Sequence, residues 1–472
     1  MKNNDDSISS FSNQNSYLLG QALNVLYLGA IFLALPWLLY QRLRHGKYRE
    51  GFRAKFLGDI PQRKGDKPCL WLHAVSVGEV NLLEPILKCW EHRNPDWDIV
   101  ISTTTQTGCA LAKKKYAPRT IIYCPLDFSW AVSRAMGRVR PSLLVLTELE
   151  LWPNLVAAAK RHGAKVAVIN GRLGEKSFRG YHRIKWLAQG VFRQIDVVAA
   201  QNDEYAERFV ALGADAKNVY VTGSIKFDGA RTDRQSSEIR RLANLAGITE
   251  GDIIFLAGST QDPEESLALS VFENLSAEFP RLKLILVPRH PERFNDVAAM
   301  LGSRGVRYQR RSQMEQASGG RQAPGIQNYR EAHASRSPET PLVTLIDVVG
   351  ELGHWWGMAK IAFVGGSLTN RGGQNMSEPA AYGAAVSFGP NTWNFRDVVT
   401  QFLTEDAAVV VKNDGELEAF VRRCLTEPDF AESLGRRAKA LVLRQQGATD
   451  RTIQLLEQVL SIDNQQDREK AA

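Results

Sequence analysis

"CLWLHAVSVGEVNLLEPILKCWEHR", residues 69–93, reads as a strand, a short loop of small residues and a helix. The run 69–75 is almost continuously apolar, the pattern of a parallel strand covered on both faces. The segment from Glu79 to Arg93 is long enough for several helical turns, so Glu79 falls where the carboxyl end of a strand meets the start of a helix. Two readings fit that position. Glu79 is a helix-start acid, with Ser76 as the N-cap, complementing the helix dipole; or it is a carboxylate at a strand end, placed to take a proton from a hydroxyl nucleophile. Position alone leaves both open.

The same alternation extends outward. Buried strands are expected at 69–75, 98–104, 120–126, 142–148, 165–171, 196–202 and 218–224, each bounded by turn residues and separated by helix-length segments. The pattern restarts at 252–259, 283–289, 344–350, 361–367 and 385–390. Strands alternating with helices imply βαβ units and parallel sheets, so the expected fold is α/β, with two doubly wound, Rossmann-like domains facing a cleft. The expected boundaries are an N-terminal domain at 42–226, a polar linker at 227–241 and a C-terminal domain at 242–462. Residues 310–341, rich in Gln, Ser, Arg, Gly and Pro, are expected to form an exposed, mobile insertion, and 1–16 and 463–472 to be disordered ends.

Between Ser7 and Gln41 there is no charged residue, and "YLLGQALNVLYLGAIFLALPWLLY" (17–40) is mostly apolar. As a helix these residues rise roughly 36 Å, enough to cross a hydrocarbon core of about 30 Å. The stretch that follows carries Arg42, Arg44, Lys47, Arg49, Arg53 and Lys55 against Glu50 alone. Residues 17–41 are therefore expected to be a single-pass membrane anchor, with the body on the cytoplasmic side and the basic stretch against anionic lipid. A cleaved signal peptide would carry its charges before the apolar run and a small-residue cleavage site after it. The local basic excess adjoins this span, and no nucleic-acid-binding motif occurs, which disfavours a nucleic-acid partner. Five scattered cysteines without a C-x-x-C pair argue against a disulfide framework or a Cys-based zinc site.

Chemistry is sought at the carboxyl ends of the strands. In the first half these carry Glu79, Glu148 and Glu150, the last two in "TELELWPN" (147–154). In the second half "AGSTQDPEE" (257–265), "VPRHPERF" (287–294) and "VGGSLTNRGGQNMSEPAAYG" (364–383) each follow a strand. Their glycines let backbone N–H groups approach an anion, and Arg289 and Glu378 accompany them. Neither a P-loop nor a complete G-x-G-x-x-G occurs, so ATP hydrolysis and NAD binding by those means are disfavoured. The three loops together point to a sugar nucleotide, its phosphate on glycine amides and Glu378 accepting from ribose hydroxyls. "DWD" (96–98) has the shape of a metal-binding D-x-D but precedes its strand, so no catalytic metal is expected.

Taken together, "HAVSVGE", "TELELWPN", "INGRL", "VTGSIKFD", "AGST", "VPRHPERF", "GGSL…RGGQN…EPAAYG" and "FGPNTWNF" resemble the family of 3-deoxy-D-manno-octulosonic acid (Kdo) transferases over about residues 17–460. The resemblance implies a two-domain GT-B architecture and transfer of Kdo from CMP-Kdo to the lipid A precursor, with inversion and without metal or other cofactor. It implies that Glu79 is the general base and that Glu150 positions substrate or stabilises cationic character in the transition state. Lys226 and Arg289 would face the donor's negative charges. Ser259, Gly365, Gly366, Ser367 and Asn375 would hold the CMP moiety, with Glu378 on the ribose. Two departures stand out: Gln261 and Gln374 occupy places where the family usually has histidine, and glutamine cannot become a cation. The competing readings are a relative acting on a UDP-sugar, as transferase or 2-epimerase, and a non-catalytic membrane tether.

Overall fold

The computed structural model describes residues 20–37, 40, 44, 50–318 and 343–471. The chain divides into two units, Met1–Asp228 with Gln445–Ala472, and Gly229–Arg444. The first is built on β1 (Cys69–His73), β2 (Asp98–Thr103), β3 (Thr120–Tyr123), β4 (Leu143–Thr147), β5 (Lys165–Gly171), β6 (Val197–Ala200) and β7 (Val219–Val221). All pair in parallel, in the order β3-β2-β1-β4-β5-β6-β7. Every residue of β1 is fully buried. Alternation divides its side chains between two cores: Cys69 and Trp71 enter one layer, Leu70 and Leu72 the other. The first layer is filled from the helices Ser129–Val139 and Pro153–Arg161, the second from Val77–Arg93. Burial on both faces explains the continuous apolar run in the sequence.

The second unit repeats the plan with β8 (Ile253–Thr260), β9 (Leu282–Pro288), β10 (Tyr308–Arg310), β11 (Val343–Leu345), β12 (Ile361–Val364), β13 (Ala385–Phe388) and β14 (Val409–Val410). Their order is β10-β11-β9-β8-β12-β13-β14, again parallel throughout. Its core joins Phe255, Leu284 and Phe363 from the sheet to Leu269 and Phe272 of the helix Glu264–Ser276. Two Rossmann-like units in series are the composition of the GT-B class. In each sheet the order reverses beside the first strand, between β1 and β4 and between β8 and β12. The crevice beyond the carboxyl ends at such a switch point is where this fold receives ligands.

Several boundaries differ from expectation. The C-terminal segment, assigned to the second domain, belongs to the first unit. There Ala448, Ile453 and Leu456 are buried in the same core as Leu83 and Trp90. Asp228 anchors the return, accepting the amides of Gly447 at 2.7 Å and Ala448 at 3.2 Å, and that of Thr449, at the start of the helix Ala448–Ala471. That helix continues through most of the tail expected to be disordered. The linker is largely structured as well. Arg234 donates to the carbonyls of Tyr382, Gly357 and Ala359, and Ser236 caps the helix Ser237–Leu245.

The expected insertion begins as strand β10 and the helix Arg311–Ser318, in which Arg311 pairs with Glu351 at 2.8 Å; residues 319–342 lie outside the described residues. The expected disordered start at 1–16 also lies outside them. The short edge strands β10 and β14, three and two residues long, were too brief to show a period in the sequence.

Candidate active site

Glu79 sits at the end of β1, on the third residue of the helix Val77–Arg93. Ser76 is the N-cap, and its hydroxyl accepts the Glu79 amide at 3.4 Å while donating to Glu79 Oε1 at 2.8 Å. The Val75 amide donates to Oε2 at 2.9 Å, and Thr147 Oγ1 at the end of β4 donates to the same oxygen at 2.7 Å. The S-x-x-E spacing thus forms a variant of the capping box, in which the carboxylate reaches back to the chain before the cap. Glu79 is 8% exposed. The helix-start reading is therefore a fact of the geometry, and it fixes the carboxylate at the switch point.

The chain after β4 brings two more carboxylates to the same place. Glu148 has φ of 55°, a left-handed conformation uncommon for a residue with a Cβ, and its carboxylate pairs with Lys226 at 3.1 Å. Lys226, expected to face a donor, is paired within the first unit. Burial, together with the neighbouring Glu79 charge, raises the Glu150 carboxyl to about 7, against the Trp152 indole N–H donated at 3.2 Å. A smaller push comes from Glu148. Three carboxylates and one lysine thus stand close together beyond β1 and β4, and Glu150 among them is raised by burial and by its neighbours, a mark of acid–base sites. Asp98 of "DWD" lies at the opposite, amino end of β2, in an ion pair with Arg63 at 2.7 Å.

In the second unit, Ser259 lies in an irregular stretch of β8 with φ of 54°. Beyond it the loop after β12 folds over a buried carboxylate. Glu264 accepts the amides of Gly366 at 2.6 Å, Ser367 at 3.0 Å, Leu368 at 2.9 Å and Gln261 at 2.9 Å. This corrects the expected phosphate cradle. The Gly366 and Ser367 amides hold Glu264, and the Gly365 amide donates to the Gly258 carbonyl at 2.9 Å. Ser367 is fully buried, its hydroxyl donating to the Val364 carbonyl and accepting the Gly389 amide. The physical reason is that a desolvated carboxylate needs donors, and Glu264 draws them from the glycine loop. Gly365 permits the close approach: a Cβ there would lie 2.6 Å from Thr260 Cα and 2.8 Å from a Glu264 oxygen.

What the loop presents instead is polar side chains. A Cβ on Gly366 would lie 3.3 Å from Gln374 Nε2 and 3.4 Å from Gln261 Nε2, so the two glutamines converge over that glycine. Asn375 donates to Glu378 Oε1 at 3.1 Å. Burial raises the Glu378 carboxyl, opposed by that hydrogen bond and by the Arg289 and Arg231 charges. Arg289 is exposed, with its amide on the Thr260 carbonyl at 2.9 Å. Of the expected residues, the first unit gathers Glu79, Glu150 and Lys226, and the second gathers Ser259, Arg289, Asn375 and Glu378 around the glycine loop. Thr147 and Glu264 escaped sequence reasoning. Both stand inside motifs singled out there, but their partners lie 68 and 102–104 residues away.

Residues 48–229 match the profile of the 3-deoxy-D-manno-octulosonic-acid transferase (kdotransferase) family. The chain is 32% identical over 394 residues to 3-deoxy-D-manno-octulosonic acid transferase of Haemophilus influenzae, covering 83% of this chain and 87% of that one. It is 32% identical over 400 residues to the Bordetella pertussis transferase of the same name, covering 82% and 86%. Among solved structures, the C-terminal CMP-Kdo binding domain of WaaA from Acinetobacter baumannii matches with 28% identity and a TM-score of 0.36, covering 44% of this chain and 96% of that one. With a shared sequence of that extent and the strand-end carboxylates in place, the chain belongs to the Kdo transferases and is a glycosyltransferase.

Proposed function

We propose that this protein transfers Kdo from CMP-Kdo to the glucosamine disaccharide of the lipid A precursor, with inversion and without a metal, at the cytoplasmic face of the inner membrane. The observation that carries the reading is Glu79, a carboxylate fixed by three donors just beyond the carboxyl end of β1, with Glu150 beside it. Glu79 takes the proton of the acceptor hydroxyl as its oxygen attacks C2 of Kdo, and the bond from C2 to the CMP phosphate breaks with both electrons leaving on CMP. Glu150, as a carboxylate, stabilises positive character at the sugar in the transition state.

Donor recognition is assigned to the second unit. Arg289 offsets the negative charge of the donor phosphate, and Ser259 and Asn375 line the nucleotide's place. Glu378 accepts from ribose hydroxyls. Gly365, Gly366 and Ser367 serve by shaping the loop over Glu264, and Gln261 and Gln374 present amide donors where they converge. The test offers the solubilised protein CMP-Kdo or UDP-N-acetylglucosamine with a lipid A precursor, in EDTA. Product from CMP-Kdo alone, undiminished by the chelator, is the expected result. Release of UDP, an epimerised sugar or loss of activity in EDTA would replace the donor or the metal-free chemistry in this reading.

A further inference from the structure

Glu150 is held by a ring that is itself left open to solvent. Trp152 donates its indole N–H to Glu150 Oε2 at 3.2 Å, and that hydrogen bond holds the Glu150 carboxyl lower than burial alone would put it. The rest of the indole is not sunk into the core. Trp152 is 40% exposed, while Leu151 before it and Asn154 and Leu155 after it are buried. The N–H is the only donor an indole has, so what remains for solvent is apolar ring.

The backbone under that ring is fixed. Trp152 precedes the helix Pro153–Arg161, its carbonyl accepts the Val156 amide at 3.0 Å, and Pro153 stands at the helix start, where its ring favours the helical angle. Asn154 ties the same turn to Asp127, donating from Nδ2 to the Asp127 carbonyl at 2.6 Å and from its amide to Asp127 Oδ2 at 3.1 Å. A large apolar face, exposed at a rigid position and pinned to a carboxylate of the site, is a surface prepared for contact rather than a loose side chain.

The neighbouring groups say what chemistry that contact has. Glu79 and Glu148 both act on Glu150 through their charges. Tyr181 also stands near it, its hydroxyl raised by burial and then by the Glu150 charge, and that hydroxyl makes no hydrogen bond among the described residues. A pyranose carries hydroxyl groups around its rim and C–H bonds on its faces. Carboxylates accept from the rim, and a flat aromatic surface packs on a face. An acyl chain has no hydroxyl to offer the carboxylates, and a phosphate would meet like charge from them.

We propose that Trp152 is the platform for the acceptor's sugar ring, one face of that ring lying on the indole and its hydroxyl edge turned to the carboxylates. The inference rests on the reading of this site as the place of Kdo transfer. Trp152 then serves twice: its face holds the acceptor, and its N–H favours the charged form of Glu150.

The test compares solubilised full-length wild type, Trp152→Phe and Trp152→Leu in initial-rate assays with CMP-Kdo and a tetraacylated lipid A precursor, with melting curves to establish folding. Phenylalanine keeps a flat face without the N–H, and leucine keeps apolar bulk with neither. Trp152→Leu is expected to raise KM for the acceptor about 10-fold, with KM for CMP-Kdo unchanged, and Trp152→Phe to raise it about 2-fold or less. Both variants should move the pH at which kcat rises upward from about 7, since the charged form of Glu150 has lost a donor. An acceptor KM unchanged in Trp152→Leu would overturn the platform, because apolar bulk of the kind that suits an acyl chain would then suffice. An acceptor KM raised equally in both variants would overturn it as well, because the N–H and not the face would then be what matters. No transfer from CMP-Kdo by the wild type would instead overturn the reading of the site on which the platform rests.

Discussion

Three donors converge on the Glu79 carboxylate, and a glutamine in its place can accept on one atom only. Glu79→Gln should therefore cost about 1 kcal/mol of stability as a damaged cap, and as a lost general base about 10²–10⁴-fold in kcat. Thermal unfolding and steady-state kinetics separate the two. Glu150 makes a pH prediction. Its carboxyl is raised to about 7, so it is neutral below that pH and charged above it. If the charged form assists the transition state, kcat rises with pH through about 7, and Glu150→Gln flattens that limb. Stability has the opposite sign. The unfolded chain releases this proton near 4.5 and the folded protein holds it to about 7, so the wild type loses stability across that window. Melting curves of Glu150→Gln should lack that decline. Glu79 was legible as a strand-end carboxylate because strand, loop and helix are contiguous. Thr147 was not, because nothing local in the sequence ties a β4 hydroxyl to a β1 carboxylate.

Among the elements, the glycine loop after β12 shows where sequence reasoning stops. Gly-rich segments after strands were read as anion cradles, and an anion is indeed present, but it is the protein's own Glu264. Composition shows that amides are available and cannot say which carboxylate takes them. Glu264→Ala would leave four buried amides without their acceptor, at about 1–3 kcal/mol for each donor that water does not reach. A lowered melting temperature and a raised KM for the donor are expected, measured by calorimetry and initial rates. Asp228 has a similar part. As the acceptor at the start of the C-terminal helix, its replacement by alanine should cost about 0.5–2 kcal/mol in a denaturant titration.

Over the whole molecule, the two-sheet α/β plan was legible because parallel strands buried on both faces leave continuous apolar runs, here in two series. The return of the last helix to the first unit was not, since helical periodicity reports a buried face and not its neighbour. Deleting residues 445–472 should uncover Leu83 and Trp90 beneath Ile453 and Leu456 and lower the melting temperature, where a segment belonging to the second domain would leave the first unit's core intact. The most direct measurement uses the whole chain. Solubilised wild type and Glu79→Gln are incubated with CMP-Kdo generated in situ and a tetraacylated lipid A precursor, and the lipid is followed by mass. Addition of Kdo by the wild type, with the variant slower by about 10²–10⁴-fold, is the predicted result. Equal rates for the two proteins would contradict the role of Glu79, and no Kdo adduct from either would contradict the donor.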